Sequence, residues 1–424
     1  MCKLESQKSV DDETTPQSEA RRGSHVRPMD AASYRWVIGL LPAPELPEKV
    51  AAHLAEILPD LLRSEVDERN DWYVEIVCDP LTGGAGDPAE ILDEAEKRKH
   101  QHGWDFAISI TDLPILRQDH VVVADAVLEK GVGGISVPAT GGMLMYRRSE
   151  RAAVLVLREL VSKEPKSHDQ AAGDPERPQS RKSVTGRTDR WPLLRYLAPI
   201  RRIVPQDPDM AVDVRFVAAP RPYAWLRLLT GMVRANQPWT IFPAFKSVVA
   251  VAFATGAYGL IFPTLWQLSD AYGPIRLVAL MATSMVAMVF WLIISHDLWE
   301  KHQAEGSPLL MRLYNAATVL TLSVAVVLYY GVLLALFVIA VVLFVPPDLL
   351  ESRLSHAIGL LDYVKLAWLA TSVATIAGAL GSGLESDETV RNATYGYRQL
   401  QRRKAAQEET GWSSSPSCGS ARTS

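Results

Sequence analysis

The stretch Leu313–Val345, LYNAATVLTLSVAVVLYYGVLLALFVIAVVLFV, decides the architecture. It contains no Asp, Glu, Lys, Arg or His. A bilayer core about 30 Å thick needs roughly 20 apolar residues in helix. In lipid, backbone polar groups are satisfied only within a helix or a closed barrel. At about 1.5 Å per residue the stretch makes a helix of roughly 50 Å, more than one crossing requires. It reads as one long helix projecting from the membrane, or as two short spans turned at Tyr329-Tyr330-Gly331. Two spans of ~16 residues would each fall below the usual length, and they would carry the basic C-terminal tail to the opposite face. One helix is expected, with five spans in all as the alternative to four.

Three more stretches qualify on either side: Ile241–Leu265, Ile275–Ser295 and Leu361–Leu380. Trp239, Trp266, Tyr272, Trp291, Trp299 and Trp368 lie at or near their edges, as interfacial aromatics do. Lys246 is close enough to a span end to snorkel. Basic residues cluster before the first span (Arg221, Arg227, Arg234), between the second and third (Lys301, Arg312) and after the fourth (Arg391, Arg398, Arg402, Arg403, Lys404). Arg276, Arg353 and Lys365 are left for the other side. With four spans, the rule that Lys and Arg stay inside puts the N-terminal domain and the C-terminal tail in the cytoplasm of a cell-membrane protein. Ionisable residues are almost absent from the spans and no inverted repeat is visible, which disfavours a transporter component. Ala374, Gly378 and Ser382 recur every four residues on the fourth span, a close-packing pattern used within a protein or in a homo-oligomer.

The chain outside the spans is polar, which brings mean hydropathy over 424 residues to +0.03. Net charge is −4, so nucleic acid is not an expected partner. Cys2, Cys78 and Cys418 form no CxxC and have no His at ligand spacing, so neither a disulfide framework nor a metal site is expected. Residues 1–33 read as disordered and lack the apolar core of a signal peptide.

Residues 34–163 alternate between strand and helix periods: strands at Tyr34–Leu41, Trp72–Cys78, Trp104–Ile110, His120–Ala126 and Gly133–Val137, and helices from Pro47 to Val66 (with a break at Pro59), from Pro88 to Gln101 and from Arg148 to Val161. The order predicts a cytoplasmic α/β domain with a mixed sheet. Ligands of such sheets gather beyond strand ends. The candidate ligand-binding residues are therefore Asp79 and the Gly83, Gly84, Gly86 loop after the second strand, Asp112 after the third, and His120 and Asp125 on the next. The glycine loop enters a helix N-terminus that could hold an anion, but it matches no nucleotide motif and reads more readily as a plain turn. Asp79 and Asp112 also fit strand-end caps, and His120 an exposed hairpin residue. No catalytic residue or cofactor is indicated.

Residues 164–190 read as a disordered linker. Residues 191–238 read as a basic interfacial segment in which Arg195, Arg201, Arg202, Arg227 and Arg234 face anionic inner-leaflet lipids. Residues 239–382 form the bundle, and 383–424 a cytoplasmic tail with a charged helix over 385–407.

Two resemblances bear on function. Trp104–Gly142, with Ile110-Thr111-Asp112, Ala124-Asp125-Ala126 and Ile135-Ser136-Val137, is similar to the sheet of zinc proteases related to archaemetzincins. HExxH is absent and the helix 148–161 holds no His, so the resemblance implies a fold without its metal. Tyr34–Pro44 (YRWVIGLLPAP), Asp79–Gly84 (DPLTGG), Gly231–Trp239 (GMVRANQPW) and Gly378–Tyr397 (GALGSGLESDETVRNATYGY) resemble a group of uncharacterised actinobacterial membrane proteins. Some of that group carry the label methylenetetrahydrofolate dehydrogenase/cyclohydrolase. The label implies a soluble folate enzyme with a catalytic Tyr/Lys pair and a Rossmann cofactor loop, and neither pattern is in this sequence. Three functions are open: a non-enzymatic membrane-anchored scaffold or sensor, which the sequence favours, a membrane-tethered enzyme, and a transporter component.

Overall fold

The computed structural model describes residues 34–79, 88–117, 120–163, 200–205, 212–240, 246–299, 308–354 and 356–381. The expectations for 1–33, Gly83, Gly84, Gly86, 164–190, Arg195, Ser382 and the tail fall outside them.

Strand β1 (Arg35–Pro42) leads through helix α1 (Leu46–Glu65) to β2 (Asp71–Ile76), and α2 (Pro88–His102) to β3 (Phe106–Thr111). A hairpin follows, β4 (Ile115–Arg117) and β5 (His120–Val127), then β6 (Val132–Ser136), a single turn α3 (Val137–Thr140) and α4 (Met145–Lys163). Pro59 does not break α1. Leu54, Leu58 and Leu62 lie on one face and are fully buried, and that burial outweighs the hydrogen bond a helical proline forfeits.

Residues 200–203 and 214–218, expected at the membrane interface, are strands β7 (Ile200–Ile203) and β8 (Val214–Ala218) of the same sheet. The sheet order is β2-β1-β3-β6-β5-β8-β7. β2, β1, β3 and β6 run parallel, while β5, β8 and β7 each pair antiparallel with the strand before. Neighbouring residues serve opposite faces, as a pleated strand requires. Leu40 and Ile108 join the core under α1 and α4, whereas Leu41 and Ala107 join Leu92 and Ala95 of α2. Gly39 of β1 has no Cβ because the Trp104 ring occupies that space.

Helix α5 (Arg221–Ala235) follows β8. Its apolar stripe, Ala224, Leu228, Met232 and Ala235, packs into the sheet's core. A short 3-10 turn, Pro238–Thr240, then leads toward the bundle.

The bundle consists of α6 (Lys246–Gly259), α7 (Pro263–Ala271), α8 (Pro274–Ser295), α9 (Pro308–Phe344), α10 (Pro347–Leu354) and α11 (Leu360–Gly381). Three helices, α8, α9 and α11, are long and apolar enough to cross a membrane, and the bent pair α6–α7 makes a fourth if it is one span. Their outward faces are apolar: Ile275 is 85% exposed and Leu343 74%. Such surface is stable in lipid and costly in water. All but the last residue of 313–345 lies in one 37-residue helix, α9, with no turn at Tyr329-Tyr330-Gly331. The expected first span departs from prediction, because α6 ends after 14 residues and α7 leaves at 92°. Pro263 starts α7 and cannot continue the preceding helix, and Trp266 Nε1 donates to Leu260 O across the corner at 2.9 Å.

α11 packs against α6, α7, α8 and α9. A Cβ on Gly256 would collide with Phe337 and lie 2.8 Å from Ala374, and one on Gly378 would meet the Tyr329 hydroxyl and Ala252. The small residues of α11 are thus taken up by contacts inside the bundle.

Candidate functional site

The carboxyl ends of β1, β2, β3 and β6 lie along one edge of the sheet, and the structure arranges its polar groups there. Asp79, after β2, is 1% exposed and pairs with Arg98 Nε of α2 at 3.2 Å. Its amide donates to Pro42 O at the end of β1. Asp112 follows β3 and is 5% exposed. His120 opens β5 opposite Arg117, in the hairpin position expected for it. Asp125 is elsewhere. It pairs with Gly134 in mid-sheet and takes a two-pronged ion pair from Arg215 of β8, at 2.8 and 3.0 Å. Burial raises the Asp125 carboxyl from its ordinary value, and the Arg215 guanidinium pulls the other way.

At the β6 end of this edge, α3 and the Gly141-Gly142 turn receive α5 across a very close contact. Gly231 of α5 touches the Pro138 carbonyl, with no room for a Cβ. That approach places Arg227, one turn earlier on α5, against Gly141. A Cβ on Gly141 would lie 2.7 Å from Arg227 Cγ and 2.9 Å from Arg148 Nη1. Gly141 has φ +90, a conformation that itself favours glycine.

Arg227, expected on the membrane surface, is only 8% exposed, and none of its three guanidinium nitrogens has a hydrogen-bond partner among the described residues. Burial lowers its pKa to about 9, helped by the like charge of Arg148. Arg148 is lowered by burial too, and donates one bond to Thr140 O at 2.7 Å. Arg234, two turns beyond Arg227 on the same face of α5, has a buried Nε without a partner. The other two basic residues expected at the membrane lie on β7: Arg201 is exposed, and Arg202 is held by Glu159 at 2.7 and 3.0 Å.

Gly142 and Arg234 also line an open cleft of about 730 Å³ between α1, the start of α4 and α5. Lys49, Arg147 and the His53–Glu150 pair, 2.9 Å apart, share its walls. Sequence reasoning missed this site. The signal available was a second glycine pair after a strand, followed by the adjacent Arg147 and Arg148 at the start of a helix.

At the far end of the bundle Asp270, His356 and Asp362 bring one ligand atom each within 4.8 Å of the others. The first two are exposed, and internal bonds from His356 to Asp270 and from the Gly359 amide to Asp362 account for the grouping.

Searches with protein-family models, curated proteins and solved structures find no match for this chain.

Proposed function

We propose that this chain is a multi-pass cell-membrane protein acting as a membrane-anchored sensor or scaffold, its sheet domain receiving a ligand or partner on the cytoplasmic side. The observation that carries this reading is α9. Its first turns contribute Leu313 and Ala317 to the sheet domain's core, and the same helix contributes Leu322, Tyr329, Leu333 and Phe337 to the core of the bundle. Just below, Asn236 at the end of α5 donates to Thr321 of α9 at 2.9 Å. A simple anchor needs only a flexible tether. A rigid helix shared by two cores passes displacement from one to the other, which is what a sensor needs.

Four crossings fit the packing. Ala252 and Gly256 of α6 meet Gly378 and Ala374 of α11 in opposite order, so α6 runs against α11 through the bundle. Tyr330 on Ser372, and Val345 near Tyr363, set α9 against α11 likewise. With α8 returning between them, the start of α6 and the end of α11 fall on the sheet domain's side, and the distribution of basic residues in the sequence supports a cytoplasmic reading of that side.

Inserting two glycines between Thr318 and Val319 tests the linkage. Hydrogen exchange of the full chain in nanodiscs should then accelerate in α5 and in the inner turns of α6 and α11 together. Unchanged exchange on both sides would show that α9 is a mere tether and would refute the reading.

A further inference from the structure

We propose that Arg227 and Arg148, with Arg234 at the rim, form a binding site for a phosphate-type oxyanion at the carboxyl edge of the sheet. The proposal gives the sheet domain a class of ligand, and it rests on the sensor reading for its biological meaning but not for its chemistry.

An uncompensated charge in a protein interior is strongly disfavoured, and folds normally pair it. Arg227 is more than nine-tenths buried, its nitrogens have no partner among the described residues, and its nearest charged neighbour is another cation. Shedding its proton is no remedy, since a group with a pKa near 9 is still charged at neutral pH. The missing partner is an anion.

The surroundings suit one. Guanidinium groups arrive from two helices, α4 and α5, on either side of a glycine turn with no side chains of its own. Arginine forks match the oxygens of phosphate two at a time, and a tetrahedral oxyanion has enough of them for both. Of the two acids in the cleft wall, Glu56 and Glu150, Glu150 is engaged by His53, and three cations, Lys49, Arg147 and Arg234, outnumber them. The adjoining cleft shares Gly142 with this turn, and its cations attract an anion toward this edge. Ligands of open α/β sheets lie beyond this same edge.

The phosphate has two sources, a soluble metabolite entering the cleft or a lipid headgroup. The second is within reach because Arg234 lies two residues before Asn236, which is bonded to the membrane-entering part of α9.

The test uses the full chain in nanodiscs of phosphatidylcholine, with and without phosphatidylglycerol, and with and without inorganic phosphate at fixed ionic strength. Melting is followed for the wild type, Arg227→Met and Arg148→Gln. The wild type should gain about 5 °C at an anion concentration one hundred times Kd. A shift from free phosphate in pure phosphatidylcholine identifies a soluble ligand. A shift only with phosphatidylglycerol identifies a headgroup. Arg227→Met should abolish the shift and raise the anion-free melting point, because it removes a buried unpaired charge. Arg148→Gln should weaken anion affinity about tenfold, and because it also gives up the bond to Thr140 O, its shift is read against its own anion-free melting point. The site is refuted if no anion shifts the wild type, or if both variants keep the full shift. A fall in the anion-free melting point of Arg227→Met with the shift retained refutes it too, since it would show a structural arginine with an acid partner of its own. The glycine insertion in α9 involves no anion, so the linkage and the site fail separately.

Discussion

Asp125 was a candidate ligand residue by its sequence position, and the structure gives it a partner instead, so the pair makes a sharp prediction. Asp125 is 4% exposed and Arg215 8%, on adjacent strands in register, joined by two hydrogen bonds. Asp125→Asn leaves the Arg215 guanidinium buried with a neutral neighbour. Removing one member of a buried pair typically costs about 3–5 kcal/mol, and an arginine cannot discharge itself near neutrality. The expected loss at neutral pH is therefore in that range.

Arg215→Met behaves differently. It leaves a buried carboxylate, which escapes by taking up a proton. Burial already raises the Asp125 carboxyl above its ordinary 3.8, and loss of the guanidinium raises it further. A carboxyl whose folded value exceeds its unfolded one destabilises the fold as pH rises through that interval. The deficit of Arg215→Met relative to wild type should therefore be largest at neutral pH and shrink as the pH falls toward 4. The double change Asp125→Val with Arg215→Met removes both charges and should cost less than either single change. Urea unfolding of the full chain in mild detergent, read by fluorescence across this pH range, measures all three. A loss below about 1 kcal/mol for Asp125→Asn would refute the structural account and return Asp125 to the list of ligand residues.

Four further outcomes are expected. Gly378→Leu drives a side chain into the Tyr329 hydroxyl and Ala252, and should cost about 1–3 kcal/mol, whereas Gly331→Leu, with nothing within 4 Å of its Cβ position, should melt like the wild type. The pair Asn236→Leu and Thr321→Val should show a coupling energy of about 1 kcal/mol in a double-mutant cycle of detergent melts. Asp79→Asn loosens a carboxylate that is 1% exposed and held by Arg98, so it should destabilise by about 1–3 kcal/mol whether or not a ligand is present. Cysteines placed at Glu351 and at Asp60 should label from opposite faces of intact cells and vesicles, Glu351 from outside and Asp60 from inside, and labelling of both from one face contradicts four crossings.

The sheet as far as α4 was legible because its strands are short apolar runs between turn residues and its helices carry a buried stripe. β7 and β8 were not, for a physical reason. β7 reads IRRI, with Arg201, Arg202 and Ile203 all exposed, and so resembles a basic surface segment. It is an edge strand, where charged side chains are normal. α5 was legible as an amphipathic helix but not in its burial. Periodicity shows that a helix has an apolar face and does not say whether protein or lipid covers it. Here the sheet domain covers it, and Arg227 is enclosed with it. The bend between α6 and α7 was hidden because hydropathy averaged over Ile241–Leu265 is blind to direction, and only Pro263 marked the corner. The continuity of α9 was legible because a single glycine, Gly331, without proline or polar turn residues beside it, does not offset the length two separate spans would lack.

These features bear on how a ligand at the sheet edge would act. Arg227 and Asn236 are nine residues apart on and just beyond one helix, a separation of roughly 13 Å at helical rise. Between them Gly231 rests against Pro138 without space for adjustment, so α5 moves as a unit with the end of β6. An anion drawing Arg227 and Arg148 together would shift α4 against the joined α3 and α5, and any displacement of α5 would reach Thr321 through Asn236. A ligand moves such a system only if it binds one arrangement better than the other. The relief of a buried unpaired charge is a difference of that kind, present when the anion is bound and absent when it leaves.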